Sequence, residues 1–188
     1  DNESVLERFK IQLEHSNVKT NNTLKPDFSW AADNVDKIVN KYFGKKFILL
    51  FPFCSPKLKR KKWPHYQDLI SLLKREYGPK YNIAIAPGPT EIEEAKEFKA
   101  HTILNNGIPL NISELVSLIK NANYIVSNDT GPAHICAHLN KKGLVLFGSH
   151  TSAEKVSIEN FNFKAISVKN LNDLDVDTVL NEAKVKLS

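Results

Sequence analysis

The chain has 188 residues, 41% hydrophobic and 25% charged, with a formal net charge of +5. That length suits one well-cored domain rather than two large ones, and no apolar run reaches the roughly 18–20 residues a membrane-spanning helix needs. The two cysteines, Cys54 and Cys136, lie outside any CxxC or zinc spacing, which argues against a disulfide framework and fits a reducing, cytoplasmic setting.

Residues 4–14 and 33–43 read as two helices joined by a polar, proline-containing segment over 17–28. No strand pattern occurs there, so residues 1–44 are expected to form a helical arm, the end of a preceding domain, packed on the flank of the main domain. The chain contains no methionine and is expected to be a piece of a longer protein. From residue 45 onward short apolar runs alternate with amphipathic stretches. Strands are predicted at 47–51, 82–86, 102–104, 124–126, 143–147 and 165–168, each nearly continuous in apolar residues, as strands buried on both faces of a parallel sheet are. Helices are predicted at 66–77, with Leu69, Leu72 and Leu73 on one face, then at 91–99, 113–121, 130–139 and 174–187. Asn111 or Ser113 is placed to cap the third of these. The alternation predicts an α/β fold: a Rossmann-like open parallel sheet of about six strands flanked by helices, over residues 45–188.

Ligands of such sheets bind beyond the carboxyl ends of the strands. Four predicted strands end in polar loops: Pro52 to Pro64 with the basic run Lys57-Leu58-Lys59-Arg60-Lys61-Lys62, Pro87 to Glu91, Ser127 to His134, and Gly148 to Thr151. In the third, Asp129 or Thr130 can cap the next helix, Pro132 suits its first turn, and Gly131 admits close approach to the backbone. The N–H groups of Thr130, Gly131 and Ala133 could cradle phosphate oxygens; the competing reading is a plain capped turn. Glu91 could accept from ribose hydroxyls or simply complement a helix N-terminus. His134 and His138 lie four apart, but with no intervening Glu and no third ligand a metal site is not expected. His134 is read as a donor to phosphate or sugar, with His138 and Cys136 structural. The basic run is a solvated loop, a nucleic-acid patch or a phosphate clamp.

In order and spacing these elements resemble glycosyltransferase family 9, the ADP-heptose:lipopolysaccharide heptosyltransferases. The resemblance covers residues 46–152 and rests on Phe51-Pro52, Lys61-Lys62-Trp63-Pro64, Gly88-Pro89-Thr90-Glu91, Asp129-Thr130-Gly131-Pro132-Ala133-His134 and Leu146-Phe147-Gly148. It implies the C-terminal half of a GT-B glycosyltransferase, with inverting, metal-independent and cofactor-free transfer of heptose from ADP-heptose to the lipopolysaccharide inner core at the inner face of the inner membrane. It also implies donor binding by Ser55, Lys61 or Lys62, Glu91, Asp129, Thr130, Gly131 and His134, with the catalytic base in the N-terminal domain and none in this chain. The alternatives are another GT-B enzyme using a different nucleotide sugar, or a non-enzymatic nucleic-acid or anion-binding module using residues 57–62. Two features depart from the family: the loop over 54–60 is more basic than usual, and Ser149-His150-Thr151-Ser152 replaces the family's Thr-x-Pro.

Overall fold

The computed structural model describes residues 3–42 and 46–187. After helices α1 (Val5–His15) and α2 (Asp36–Tyr42) come β1 (Lys46–Phe51), α3 (Tyr66–Tyr77), β2 (Tyr81–Ile85), α4 (Ile92–Ala95) and β3 (His101–Thr102). The chain continues through α5 (Ile112–Asn121), β4 (Tyr124–Asn128), α6 (Gly131–His138), β5 (Gly143–Phe147), β6 (Phe163–Ser167) and α7 (Val176–Leu187). The six strands form one parallel sheet in the order β3-β2-β1-β4-β5-β6, with Ile48 opposite Ile83, Leu50 opposite Val126 and Val126 opposite Leu144. The order reverses between β1 and β4, and there the loops part to leave a crevice.

Successive side chains of a strand point to opposite faces, so β1 feeds two cores. Ile48 and Leu50 join Leu69, Leu73, Val179 and Leu180 under α3 and α7. Phe47, Leu49 and Phe51 join Leu118, Ile119 and Cys136 under α5 and α6. Both faces are covered, which is why β4 and β5 are buried along their whole length and β5 reads as an unbroken apolar run. At the start of α5 the Asn111 side chain accepts from Glu114 N–H, and Glu114 accepts from Asn111 N–H, both at 2.9 Å, a reciprocal capping box.

The sheet and the Rossmann-like architecture are as the sequence predicts; several boundaries differ. The helix expected over 91–99 shrinks to α4, because Ala95 is its one buried side chain and Glu93, Glu94 and Glu97 offer no apolar face. β3 is two residues long. The last helix starts at Val176, after a 3-10 turn over Leu171–Asp173. The predicted end of the second helix at residue 43 and the boundary at 44–45 lie outside the described residues. The arm packs against α5 and α6: Val35 is buried, Ile38, Val39 and Tyr42 lie on that core, and Phe28 stacks on His138 at 6.0 Å. Among the described residues no helix is long and apolar enough to cross a membrane.

Candidate functional site

Everything at the carboxyl edge hangs on two buried residues. Trp63 is fully buried; its indole N–H donates to Leu174 O at 2.8 Å, and its backbone N–H donates to Asn128 Oδ1 at 3.2 Å. The same Asn128 amide donates to Phe53 O at 3.2 Å. One side chain at the end of β4 thus ties down both ends of the loop that leaves β1. Buried polar groups that are fully paired hold one geometry, and here that geometry aims the basic run. A 3-10 segment, Pro56–Lys61, turns the chain back toward the sheet, and Lys62 is extended. Neighbouring side chains at such a point diverge: Lys61 Nζ lies 2.6 Å from Asp129 Oδ2, and Lys62 Nζ lies 2.5 Å from Glu94 Oε1. Two lysines of the run are therefore paired, on separate sides.

Asp129 is the hub of the Asp129–His134 turn. Its side chain is 2% exposed, and its carboxylate takes Lys61 on Oδ2, His150 Nε2 at 2.9 Å on the same oxygen, and His134 Nε2 at 3.8 Å from Oδ1. A buried carboxylate needs such partners. The expected cap is not made by either candidate: Thr130 is the N-cap residue, but its hydroxyl donates back to Asn128 O at 3.4 Å, and Asp129 is occupied by the lysine and the histidines. Of the three amides read as a phosphate cradle, Ala133 N–H already donates to Thr130 O at 3.0 Å. The N–H groups of Thr130 and Gly131 keep no acceptor among the described residues, at the positive end of α6.

Beside this turn a cavity of about 360 Å³ opens between the ends of β1, β2 and β4. Ser55, Glu91, Thr130 and Gly131 line it together with apolar Phe53 and Leu115. Glu91 does not cap α4; it loops back so that Oε2 accepts from Gly88 N–H at 2.7 Å. Burial pushes its pKa up, and the Gly88 bond opposes this. Of the predicted site residues, then, Ser55, Glu91, Thr130 and Gly131 share one cavity, Lys61, Asp129 and His134 cluster at its edge, and Lys62 stands apart on Glu94. Burial holds the His134 imidazole below its ordinary pKa, with Asp129 pulling it up and Lys61 pushing it down. Among the described residues no group of three His, Cys, Asp or Glu side chains could hold a metal ion.

Sequence reasoning did not single out Asn128 or give His150 a role. His150 lies 21 residues beyond Asp129; the pairing of β4 with β5 brings their carboxyl ends together. Its place directly after a strand end was the available signal.

The chain matches the family model described as glycosyltransferase family 9 (heptosyltransferase) over residues 2–177. No curated protein matches its sequence. Among solved structures it is similar to E. coli heptosyltransferase WaaC with ADP-2-deoxy-2-fluoro heptose, with 18% identity, a TM-score of 0.69, and 98% of this chain and 56% of that one covered. It is similar to E. coli ADP-heptose lps heptosyltransferase II at 20% identity and TM-score 0.65, over 90% of this chain and 53% of that one. S. aureus MnaA in a co-structure with UDP is similar at 20% identity and TM-score 0.60, with coverage of 88% and 44%. The chain spans about half the length of these structures, and at such identities the likeness speaks for the fold. The family model matches most of the chain, and on that ground the chain belongs to glycosyltransferase family 9.

Proposed function

We propose that this chain is the donor-binding half of an inverting glycosyltransferase that moves heptose from ADP-heptose to the lipopolysaccharide inner core. The observation that carries the reading is the juxtaposition of an apolar-walled cavity, a half-buried carboxylate at its rim and an open helix N-terminus beside a lysine. A nucleoside fits that order of surfaces. Its base lies against Phe53 and Leu115, its ribose hydroxyls donate to Glu91, and its diphosphate accepts from Thr130 and Gly131 N–H.

The helix dipole contributes on the order of 0.3–1 kcal/mol, approaching ~2 in a partly buried site. Its value grows as negative charge develops on a departing diphosphate. Lys61, aimed by its bond to Asp129, adds an ammonium N–H donor to the diphosphate. These groups supply the neutralisation for which other enzymes use a metal ion. In this reading His134, 3.8 Å from Asp129 Oδ1, donates to a phosphate or sugar oxygen. Transfer also needs a base facing the donor across a cleft, and this reading puts that base on the other half of the enzyme, which works on the cytoplasmic side of the membrane. The chain alone is expected to bind donor and to form no glycoside.

Calorimetric titration with ADP, ADP-heptose, UDP and GDP tests this. ADP and ADP-heptose are expected to bind ahead of the other two, and Asp129→Ala is expected to weaken ADP about tenfold, because it releases Lys61 from the anchor that aims it at the diphosphate. Failure of all four to bind at millimolar concentration rejects the donor reading. A preference for UDP keeps the fold and changes the sugar nucleotide.

A further inference from the structure

His150 reaches the Asp129 carboxylate from the loop after β5, and its surroundings say why a histidine stands there. Its side chain is 2% exposed. The ring lies nearly parallel to that of Phe147, at 19° with centroids 6.0 Å apart, and Phe147 is fully buried in the sheet. Nε2 is 2.9 Å from Asp129 Oδ2 and must donate, because an ionised carboxylate only accepts. That is the ring's one hydrogen bond among the described residues, since Nδ1 is buried without a partner. Burying an unpaired ring nitrogen costs free energy, and an apolar side chain stacked on Phe147 would avoid the cost. What histidine supplies here, and leucine or phenylalanine would not, is the donor on Nε2.

That donor bears on Lys61. An ammonium group has three N–H bonds. Two of those on Lys61 are spent on Asp129, one on Oδ2 at 2.6 Å and one on the main-chain oxygen at 3.3 Å. The direction of the third is then set by those two oxygens. The main-chain oxygen is fixed at the end of β4, but Oδ2 rides on a side chain whose last torsion is soft and roughly two-fold. Oδ1 makes no hydrogen bond among the described residues, with His134 Nε2 3.8 Å away. With Lys61 as its one partner the carboxylate could turn and keep an ion pair, because either oxygen would serve. His150, held against Phe147, removes that freedom: a single orientation gives both donors the same oxygen.

We propose that His150 is a positioning residue for donor binding: it locks the Asp129 carboxylate so that the remaining N–H of Lys61 is directed to the diphosphate. It touches no ligand and acts only through Asp129 and Lys61. This role rests on the donor-binding function proposed above.

The experiment is calorimetric titration of the whole chain with ADP, in His150→Gln and His150→Asn beside the wild type. The amide nitrogen of glutamine can stand where Nε2 stands, whereas that of asparagine reaches only the place of Nδ1. His150→Gln is expected to bind ADP within about threefold of wild type, and His150→Asn to lose about tenfold. His150→Leu, which has no donor, takes the place of His150→Asn if that variant does not fold, with the same loss expected. Because the effect passes through Lys61, adding His150→Asn to Lys61→Ala is expected to cost no further ADP affinity. Equal ADP affinity in the glutamine and asparagine variants overturns the proposal. So does a further loss on the Lys61→Ala background, which would mark the histidine as merely structural. If the wild type itself binds no ADP, the donor reading falls, and ligand-free crystal structures of the variants still decide the positioning. The contact of Lys61 Nζ with Asp129 Oδ2 is expected to persist in His150→Gln and to be lost in His150→Asn; an unmoved pair in His150→Asn overturns it.

Discussion

Gly131 has nothing within 4 Å of where a Cβ would stand, so a side chain there costs the fold nothing. It would, however, stand in the space through which a phosphate approaches the first amides of α6. Gly131→Ala is therefore expected to leave the thermal midpoint unchanged or slightly raised, since alanine is the better helix former by up to about 1 kcal/mol. ADP affinity should drop about tenfold through the lost backbone contact. Unaltered ADP affinity in the calorimeter would show that ligand does not approach that backbone. The histidines of the same helix set a pH dependence. Burial lowers the pKa of both His134 and His138 from the ordinary 6.5, and His134 lowers His138 further. Above pH 6.5 neither folded nor unfolded chain carries these protons. As pH falls below it the unfolded chain takes them up first, so stability drops until the pH passes the lower folded values. Urea midpoints should be lower at pH 5.5 than at 7.5, and the drop should shrink in His134→Gln, His138→Gln; an equal drop in that variant would place the effect elsewhere. These residues were legible because Asp-Thr-Gly-Pro-x-His is local in sequence. Asn128 and His150 were not, because their roles exist only once β4 lies between β1 and β5.

Among the elements, those with an unambiguous period were legible to the residue: α3, amphipathic over Tyr66–Tyr77, and β5, apolar over Gly143–Phe147. Elements that pack on little were misjudged. α4 buries one alanine, and β3 sits at the sheet edge with two residues, so neither has a periodic face to declare it. Which lysine of the basic run meets Asp129 was equally hidden, since it depends on the kink at Leu58 and the anchoring of Trp63. β5 also carries a position that the pattern alone undervalues. A Cβ on Gly143 would collide with the Ile125 carbonyl oxygen of β4 and stand 2.9 Å from Phe163 Cε2 of β6. Ile125 lies on an inner strand and Phe163, on the edge strand, is fully buried, and a packed interior yields little. Gly143→Ala is expected to destabilise the fold by about 1–3 kcal/mol, the usual cost of overpacking, read as a lower urea midpoint. The folded fraction should bind ADP as before, because β5 bears on the site only through its carboxyl end. A midpoint equal to wild type would mean that the two strands part more readily than their burial implies.

At the scale of the whole molecule, the arm is two different things. α1 buries none of its side chains, and Val5 N–H, donating to Lys155 O at 2.9 Å, ties its backbone to the domain. The stretch from residue 33 to α2 is built in: Asp33 N–H donates to Ser113 O at 3.4 Å, Ser117 Oγ donates to Asp33 O, Val35 is 2% exposed, and Ile38, Val39 and Tyr42 cover the core under α5 and α6. Composition and the lack of strands grouped all of this as one connecting segment; burial divides it. Removing residues 3–15 is expected to cost about 1 kcal/mol or less, the worth of a single exposed hydrogen bond. Removal through residue 42 strips one fully buried and three half-buried apolar side chains from α5 and α6. At about 1.5–3 kcal/mol for each fully buried one, the loss is about 4–7 kcal/mol. Against a total stability of about 5–15 kcal/mol for a domain, that change brings the protein to the edge of unfolding, while the shorter cut leaves it intact. Chemical denaturation of the two truncations measures the difference directly. Equal stability would mean that α2 rests on a core able to close without it. Because α5 leads through β4 into the Asp129 turn, the longer truncation should weaken ADP binding even in the fraction that stays folded, which the shorter one should not.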